Sequence, residues 1–132
     1  MSDDDGSAEQ FLRALNDAWT RGAMAELADC FSDDAILAIP GERAVVRGAA
    51  AITNTYRQFL DAAEVKAFSI DAIEVFPANQ VEVCHLDFQI HYVLNGVEQQ
   101  DHGRDIYVLS QAEDGSRKVL WRTQHPLSDA TS

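Results

Sequence analysis

The chain has 132 residues, 46% of them apolar, which suffices for one packed core and points to a single domain over residues 1–132 with an ordered core at about 7–128. Ten basic against 22 acidic residues give a formal net charge of −12, which repels phosphate backbones and anionic lipid surfaces, so neither nucleic acid nor a membrane is an expected partner. The longest apolar run, Ala35 to Ile39, falls far short of the roughly 20 residues that cross a bilayer, and the acidic stretch Met1–Gly6 lacks the chemistry of a secretory signal. A soluble, cytoplasmic protein is the expectation.

Ser7-Ala8-Glu9-Gln10 has the form of a capping box, and Phe11, Leu12, Leu15, Ala18 and Trp19 follow at helical spacing up to Gly22, so a first helix is expected over about residues 8–21. Met24, Leu27, Cys30 and Phe31 define a short second helix that ends at Ser32-Asp33-Asp34. Ala35–Ile39 reads as a buried strand closed by Pro40-Gly41, with Ala44–Val46 able to pair back on it. Ile52, Tyr56, Phe59 and Leu60 then share one face of a third helix. Beyond Ala63 the pattern turns to strands at 67–76, 81–94, 97–110 and 119–125, separated by Pro77-Ala78-Asn79, Asn95-Gly96 and Glu113-Asp114-Gly115. Three successive turns imply a four-stranded antiparallel meander. Helices first and long strands afterwards make an α+β layout, with the helices covering one face of a curved sheet.

A two-residue Asn95-Gly96 turn sets Leu94 opposite Val97 and therefore Asp87 opposite Arg104, Leu86 opposite Asp105 and Ile90 opposite Asp101. One face then carries Cys84, Leu86, Phe88, Ile90 and Tyr92 with Asp101, Gly103, Asp105, Tyr107 and Leu109, and it is apolar except for two carboxylates. The other face carries His85, Asp87, Gln89 and His91 with Gln100, His102 and Arg104, and offers an Asp87–Arg104 pair. Cys30 and Cys84 have no Cys or His at zinc-ligand spacing, and the four histidines show no ligand motif, so buried reduced thiols and no metal are expected. No Gly-rich phosphate loop is present, and no cofactor is expected.

The order of elements, with Ala18-Trp19-Thr20-Arg21-Gly22, Phe31-Ser32-Asp33-Asp34-Ala35, Arg47-Gly48-Ala49-Ala50-Ala51-Ile52 and Asp114-Gly115 before Trp121, resembles the nuclear transport factor 2-like superfamily and, within it, the SnoaL-like group. The resemblance covers about residues 8–128. It implies a curved antiparallel sheet of four to six strands forming a cone, with three N-terminal helices packed on its concave face. The superfamily spans isomerases, cyclases, dehydratases, epoxide hydrolases and non-catalytic association domains, so the fold alone does not assign a reaction.

In such a cone the apolar face lines the pocket, which places Asp105 there as a carboxylate among apolar groups, the setting in which a general base is tuned. Ketosteroid isomerases and SnoaL-type cyclases carry an Asp in a setting similar to Gly103-Arg104-Asp105-Ile106-Tyr107, and His91 resembles the His that accompanies it in the cyclases. The register puts His91 on the opposite face unless a bulge intervenes. The isomerases' second Asp and their Tyr in helix one are replaced here by Ile39 and Leu15, and the dehydratase dyad by Thr20 and Phe68. Arg104, Asp105 and Asp101 resemble an epoxide hydrolase set, but adjacent strand residues point to opposite faces.

These residues support a cofactor-independent isomerase or cyclase acting on a small apolar molecule, with or without a carbonyl, with Asp105 as base and His91, Tyr92 or Tyr107 polarising an oxygen. Trp19, Ile39, Tyr56, Phe59, Phe88, Tyr92, Asp101 and Arg122 are the pocket candidates. The alternative is a non-catalytic small-molecule-binding or association domain in which Asp105 is structural, satisfied by a Tyr hydroxyl or by Arg122. A homodimer is expected through the outer sheet face, with Val83, Ile106, Val108, Val119 and Trp121 as its apolar patch.

Overall fold

The computed structural model describes residues 7–39 and 45–127. Three helices, α1 (Ala8–Thr20), α2 (Met24–Ala28) and α3 (Ala49–Ala62), accompany six strands, β1 (Phe31–Ala38), β2 (Val45–Arg47), β3 (Ala63–Ala78), β4 (Val81–Leu94), β5 (Val97–Gln111) and β6 (Arg117–Pro126). The strands form one open, curved sheet in the order β2-β1-β6-β5-β4-β3. Neighbours run antiparallel except for the parallel pair β1 and β6.

Helix α1 starts where Ser7 Oγ accepts from the Gln10 backbone N–H at 3.0 Å, satisfying one of the donors that a helix start leaves free. Its stripe of Leu12, Leu15 and Trp19 is buried, and Gly22 at φ +77° ends it in a conformation that costs other residues energy. No helix of the described residues is long and apolar enough to cross a membrane.

Two boundaries differ from expectation for one reason, backbone pairing. The segment Phe31–Asp34 belongs to β1 rather than closing α2, because the Val119 N–H donates to the Cys30 carbonyl at 2.7 Å and Phe31 pairs with Val119. Strand β3 begins at Ala63, immediately after α3, because the long β4 offers partners all the way from Leu94 back to Val81. The Pro40-Gly41 turn lies outside the described residues.

The β4–β5 hairpin has the register deduced from its turn. Asn95 (φ 53°) and Gly96 (φ 77°) make the two-residue connection, and Asp87 faces Arg104, Leu86 faces Asp105 and Ile90 faces Asp101. On the inner face Cys84, Leu86, Tyr107 and Leu109 are fully buried beneath α1 and α3, together with Leu12, Leu15 and Ile52. Each such aliphatic side chain contributes about 1.5–3 kcal/mol through burial.

Between Val108 and Leu109 the β5–β6 ladder slips, so that Val108 faces Trp121 while Leu109 faces Val119. The bulge turns Val119 inward, where it is fully buried, and leaves Trp121 on the outer face. Val119 is therefore core and not part of the outer apolar patch, a correction that plain alternation along β6 conceals.

Candidate functional site

The β5–β6 register sets Asp105 directly across from Gln124 and Tyr107 across from Arg122. Three donors consequently converge on one carboxylate. Oδ1 of Asp105 accepts from Arg122 Nη2 at 3.0 Å and from Gln124 Nε2 at 2.9 Å, and Oδ2 accepts from the Tyr107 hydroxyl at 3.1 Å. Asp105 is 2% exposed and Arg122 8%, so this is a buried ion pair whose attraction is little weakened by water. The surroundings of Asp105 are thus less apolar than the strand pattern implies. Alternation along β5 shows its apolar neighbours but not the donors that β6 brings from across the sheet.

The Arg122 guanidinium is flanked by two aromatic faces, 5.2 Å from the ring centroid of Tyr56 and 5.7 Å from that of Tyr107. Burial works against its charge, yet the neighbouring Asp105 carboxylate offsets this and holds the guanidinium above its ordinary value. Burial pushes the Tyr56 phenol up to about 12 and also raises Tyr107 well above the ordinary phenol value, helped by the charge of Asp105. Both phenols are therefore protonated donors near neutral pH.

Above this polar floor lies a cavity of about 250 Å³. Trp19 of α1 and Tyr56 and Phe59 of α3 close one side, with Phe68 of β3 and Phe88, Ile90 and Tyr92 of β4 on the other. The aromatic walls brace one another: Trp19 meets Tyr56, Phe59 and Phe68 at 5.6, 6.2 and 5.4 Å between centroids, and Phe68 stacks on Phe88 at 5.7 Å and 22°. Asn16 fixes the Trp19 ring by accepting from its Nε1 at 2.8 Å while donating to the Leu12 carbonyl at 2.9 Å. At the more exposed end the Tyr92 hydroxyl donates to Asp101 Oδ2 at 2.7 Å, a bond that raises the phenol to about 12.

Two donors on this cavity are left over. The Tyr56 hydroxyl and Arg122 Nε are buried without a hydrogen-bond partner among the described residues, and both residues line the cavity. A buried donor without a partner costs about 1–3 kcal/mol, which an acceptor oxygen entering the cavity would recover.

Of the residues named from sequence, Trp19, Tyr56, Phe59, Phe88, Tyr92, Asp101, Asp105 and Arg122 surround this one space. Tyr107 lies beneath it, fully buried, and supports Asp105. Ile39 lines a neighbouring hollow with Leu37 and Pro126 that shares Arg122 and Gln124 with the cavity. His91 is on the outer face, 2.9 Å from Glu98 through its Nε2, and the β4–β5 ladder runs unbroken through it. No bulge brings it inward. Asn16, Thr55, Phe68, Ile90 and Gln124 also line the cavity; Ile90 and Phe68 follow from the strand faces, whereas Gln124 depends on the bulged register of β6. Among the described residues no three His, Cys, Asp or Glu side chains come close enough to hold a metal ion.

The same architecture occurs in solved structures at low sequence identity. A ketosteroid isomerase-like protein from Erwinia carotovora atroseptica superimposes with a TM-score of 0.74 at 17% identity, over 92% of this chain and 94% of that one. ActVI-ORFA from Streptomyces coelicolor gives 0.72 at 14% identity, over 89% and 92%. A putative Ca/calmodulin-dependent kinase II association domain from Exiguobacterium sibiricum gives 0.77 at 12% identity, over 98% of each chain. These likenesses establish the fold alone, and comparison with curated proteins finds no match. The family model for the SnoaL-like domain matches residues 12–117, and the chain accordingly belongs to the SnoaL-like domain family of the nuclear transport factor 2-like superfamily.

Proposed function

We propose that the protein is a cofactor-independent enzyme of isomerase or cyclase type, acting on a small, planar, mainly apolar molecule that carries a carbonyl oxygen. The observation that carries this reading is the division of the Arg122 guanidinium: Nη2 is committed to Asp105, while Nε, like the Tyr56 hydroxyl, has no partner on the same cavity. A carbonyl oxygen seated on those two donors is polarised by groups already oriented and shielded from water.

Asp105 then serves as the base. With Oδ2 holding only the Tyr107 hydroxyl, a carboxylate oxygen keeps room for a proton taken from the carbon beside the carbonyl. As that proton moves, negative charge passes from Asp105 to the substrate oxygen, and the one guanidinium faces both. No charge is stranded in the buried site at either stage. Tyr56 takes the polarising role that the sequence reading gave to His91, Tyr92 or Tyr107, since the Tyr92 and Tyr107 hydroxyls are engaged with Asp101 and Asp105.

A second reading, a non-catalytic binding domain, is favoured by the three hydrogen bonds on Asp105, which suit a structural acceptor equally well. The enzyme reading, unlike the binding reading, requires the oxygen site. Titration of the Trp fluorescence with acetonaphthone and with ethylnaphthalene, its oxygen-free counterpart, tests it. The ketone should bind about tenfold more tightly, with most of that advantage lost in Tyr56→Phe. Equal affinity for the two compounds would remove the basis of the enzyme reading and leave the binding domain.

A further inference from the structure

The wall formed by Phe88 depends on a residue outside the cavity. Phe88 and Gly103 are directly opposed in the β4–β5 ladder, and the Phe88 ring folds down over the glycine instead of standing away from the sheet. A Cβ placed on Gly103 would meet Phe88 Cζ at 2.7 Å and Cε2 at 3.0 Å, and the His125 backbone carbonyl oxygen at 3.2 Å. Carbon atoms in contact rest about 3.5–4.0 Å apart, so a methyl group there requires the ring to retreat by about 1 Å. The carbonyl of His125 belongs to the β6 backbone and cannot yield in its place.

The ring lies between two neighbouring spaces. One is the cavity, which Gly103 does not line; the other is a more open groove lined by Gly103, His102, His125 and Pro126, and Asp101 and Gln124 border both. Phe88 borders both. Retreat from Gly103 therefore carries the ring toward Phe68, its stacking partner, and into the cavity.

We propose that Gly103 is a specificity-determining residue: by letting Phe88 lie back against the strand, it sets the width of the cavity and admits bicyclic ligands where any larger residue would restrict the site to single rings. The proposal rests on the reading of the cavity as a ligand site given above, but the wall geometry can be checked without any ligand. A crystal structure of Gly103→Ala should show the Phe88 ring displaced into a smaller cavity; an unmoved ring, or one swung into the groove, would overturn the proposal.

Binding supplies the functional arm. Gly103→Ala should lose about tenfold or more in affinity for acetonaphthone while retaining that for acetophenone, because the displaced ring takes the space of the second ring and leaves that of the first. Adding Phe88→Leu to the same chain should restore acetonaphthone binding. Equal losses for both ketones, or no rescue, would contradict the proposal. Phe88→Leu alone, which carries no new clash, should admit acetylanthracene better than the wild type does, and failure to do so counts against Phe88 as the limiting wall. If the wild type binds neither ketone, the ligand reading fails, and the Gly103→Ala structure still decides whether the glycine sets the wall.

Discussion

Asp105→Asn isolates the charge of the buried pair from its shape. The side chains of Arg122 and Asp105 are 10% and 3% exposed, and removing one partner of a pair so enclosed costs about 3–5 kcal/mol because the other charge stays buried. The Asn amide oxygen can still accept from Arg122 and Gln124, and its NH₂ can donate to the Tyr107 oxygen, so the hydrogen bonds survive and only the charge is lost. The cost should lie at the lower end, about 3 kcal/mol. Asp105→Ala also strands the Gln124 and Tyr107 donors and should approach 5 kcal/mol. Urea denaturation followed by circular dichroism reads both values, with an unchanged m-value as the check that the unfolded states are comparable. In an Arg122→Met background, where no cation remains to be stranded, the same Asn substitution should cost little or nothing. A loss below about 1 kcal/mol for Asp105→Asn in the wild-type background would refute the pairing as an energetic feature.

Two further outcomes follow from the same geometry. The three tyrosines of the chain are Tyr56, Tyr92 and Tyr107, all raised above the ordinary phenol value of 10, the first two to about 12. Their contribution to stability is complete below pH 10, where the unfolded phenols are also protonated, and is lost as the pH rises through their folded values. Phenolate absorbance should therefore stay absent from the folded protein near pH 10 and appear together with alkaline unfolding; a tyrosine that ionises at about 10 in the folded state would contradict this. On the outer face, Phe76, Val83, Val108 and Trp121 form an apolar patch beside the bidentate Asp87–Arg104 pair at 2.6 and 3.1 Å. Sedimentation equilibrium at micromolar concentration should give twice the chain mass, with Trp121→Glu shifting it to one; a wild-type monomer would rule out the homodimer.

The hairpin was the most legible part of the sequence because its geometry is local. Asn95-Gly96 fixes the turn, the turn fixes the register, and the register places Asp105 and Phe88 on one face. The β5–β6 relationship was harder to read, since Glu113-Asp114-Gly115 permits several loop lengths and the bulge at Val108/Leu109 changes the parity of β6 partway along. Arg122 could be named as a partner for Asp105, yet Gln124 could not, and Val119 fell on the wrong face. The parallel pairing of β1 with β6 is likewise invisible locally, because it joins segments almost ninety residues apart in sequence, such as Phe31 and Val119. The unpartnered Tyr56 hydroxyl and Arg122 Nε depend on Arg122 of β6 meeting the Tyr56 ring of α3, so no pattern in either segment announces them.

Proton abstraction by Asp105 can be observed without knowing the natural substrate. Acetonaphthone incubated with the protein in deuterium oxide should exchange its methyl protons faster than in buffer, as followed by proton NMR. The rate should fall to the buffer level in Asp105→Asn, kept at a temperature where circular dichroism shows it folded and where ketone binding persists. Exchange at the buffer rate by a wild-type protein saturated with ketone would contradict Asp105 as a base and leave the binding domain as the function of this cavity.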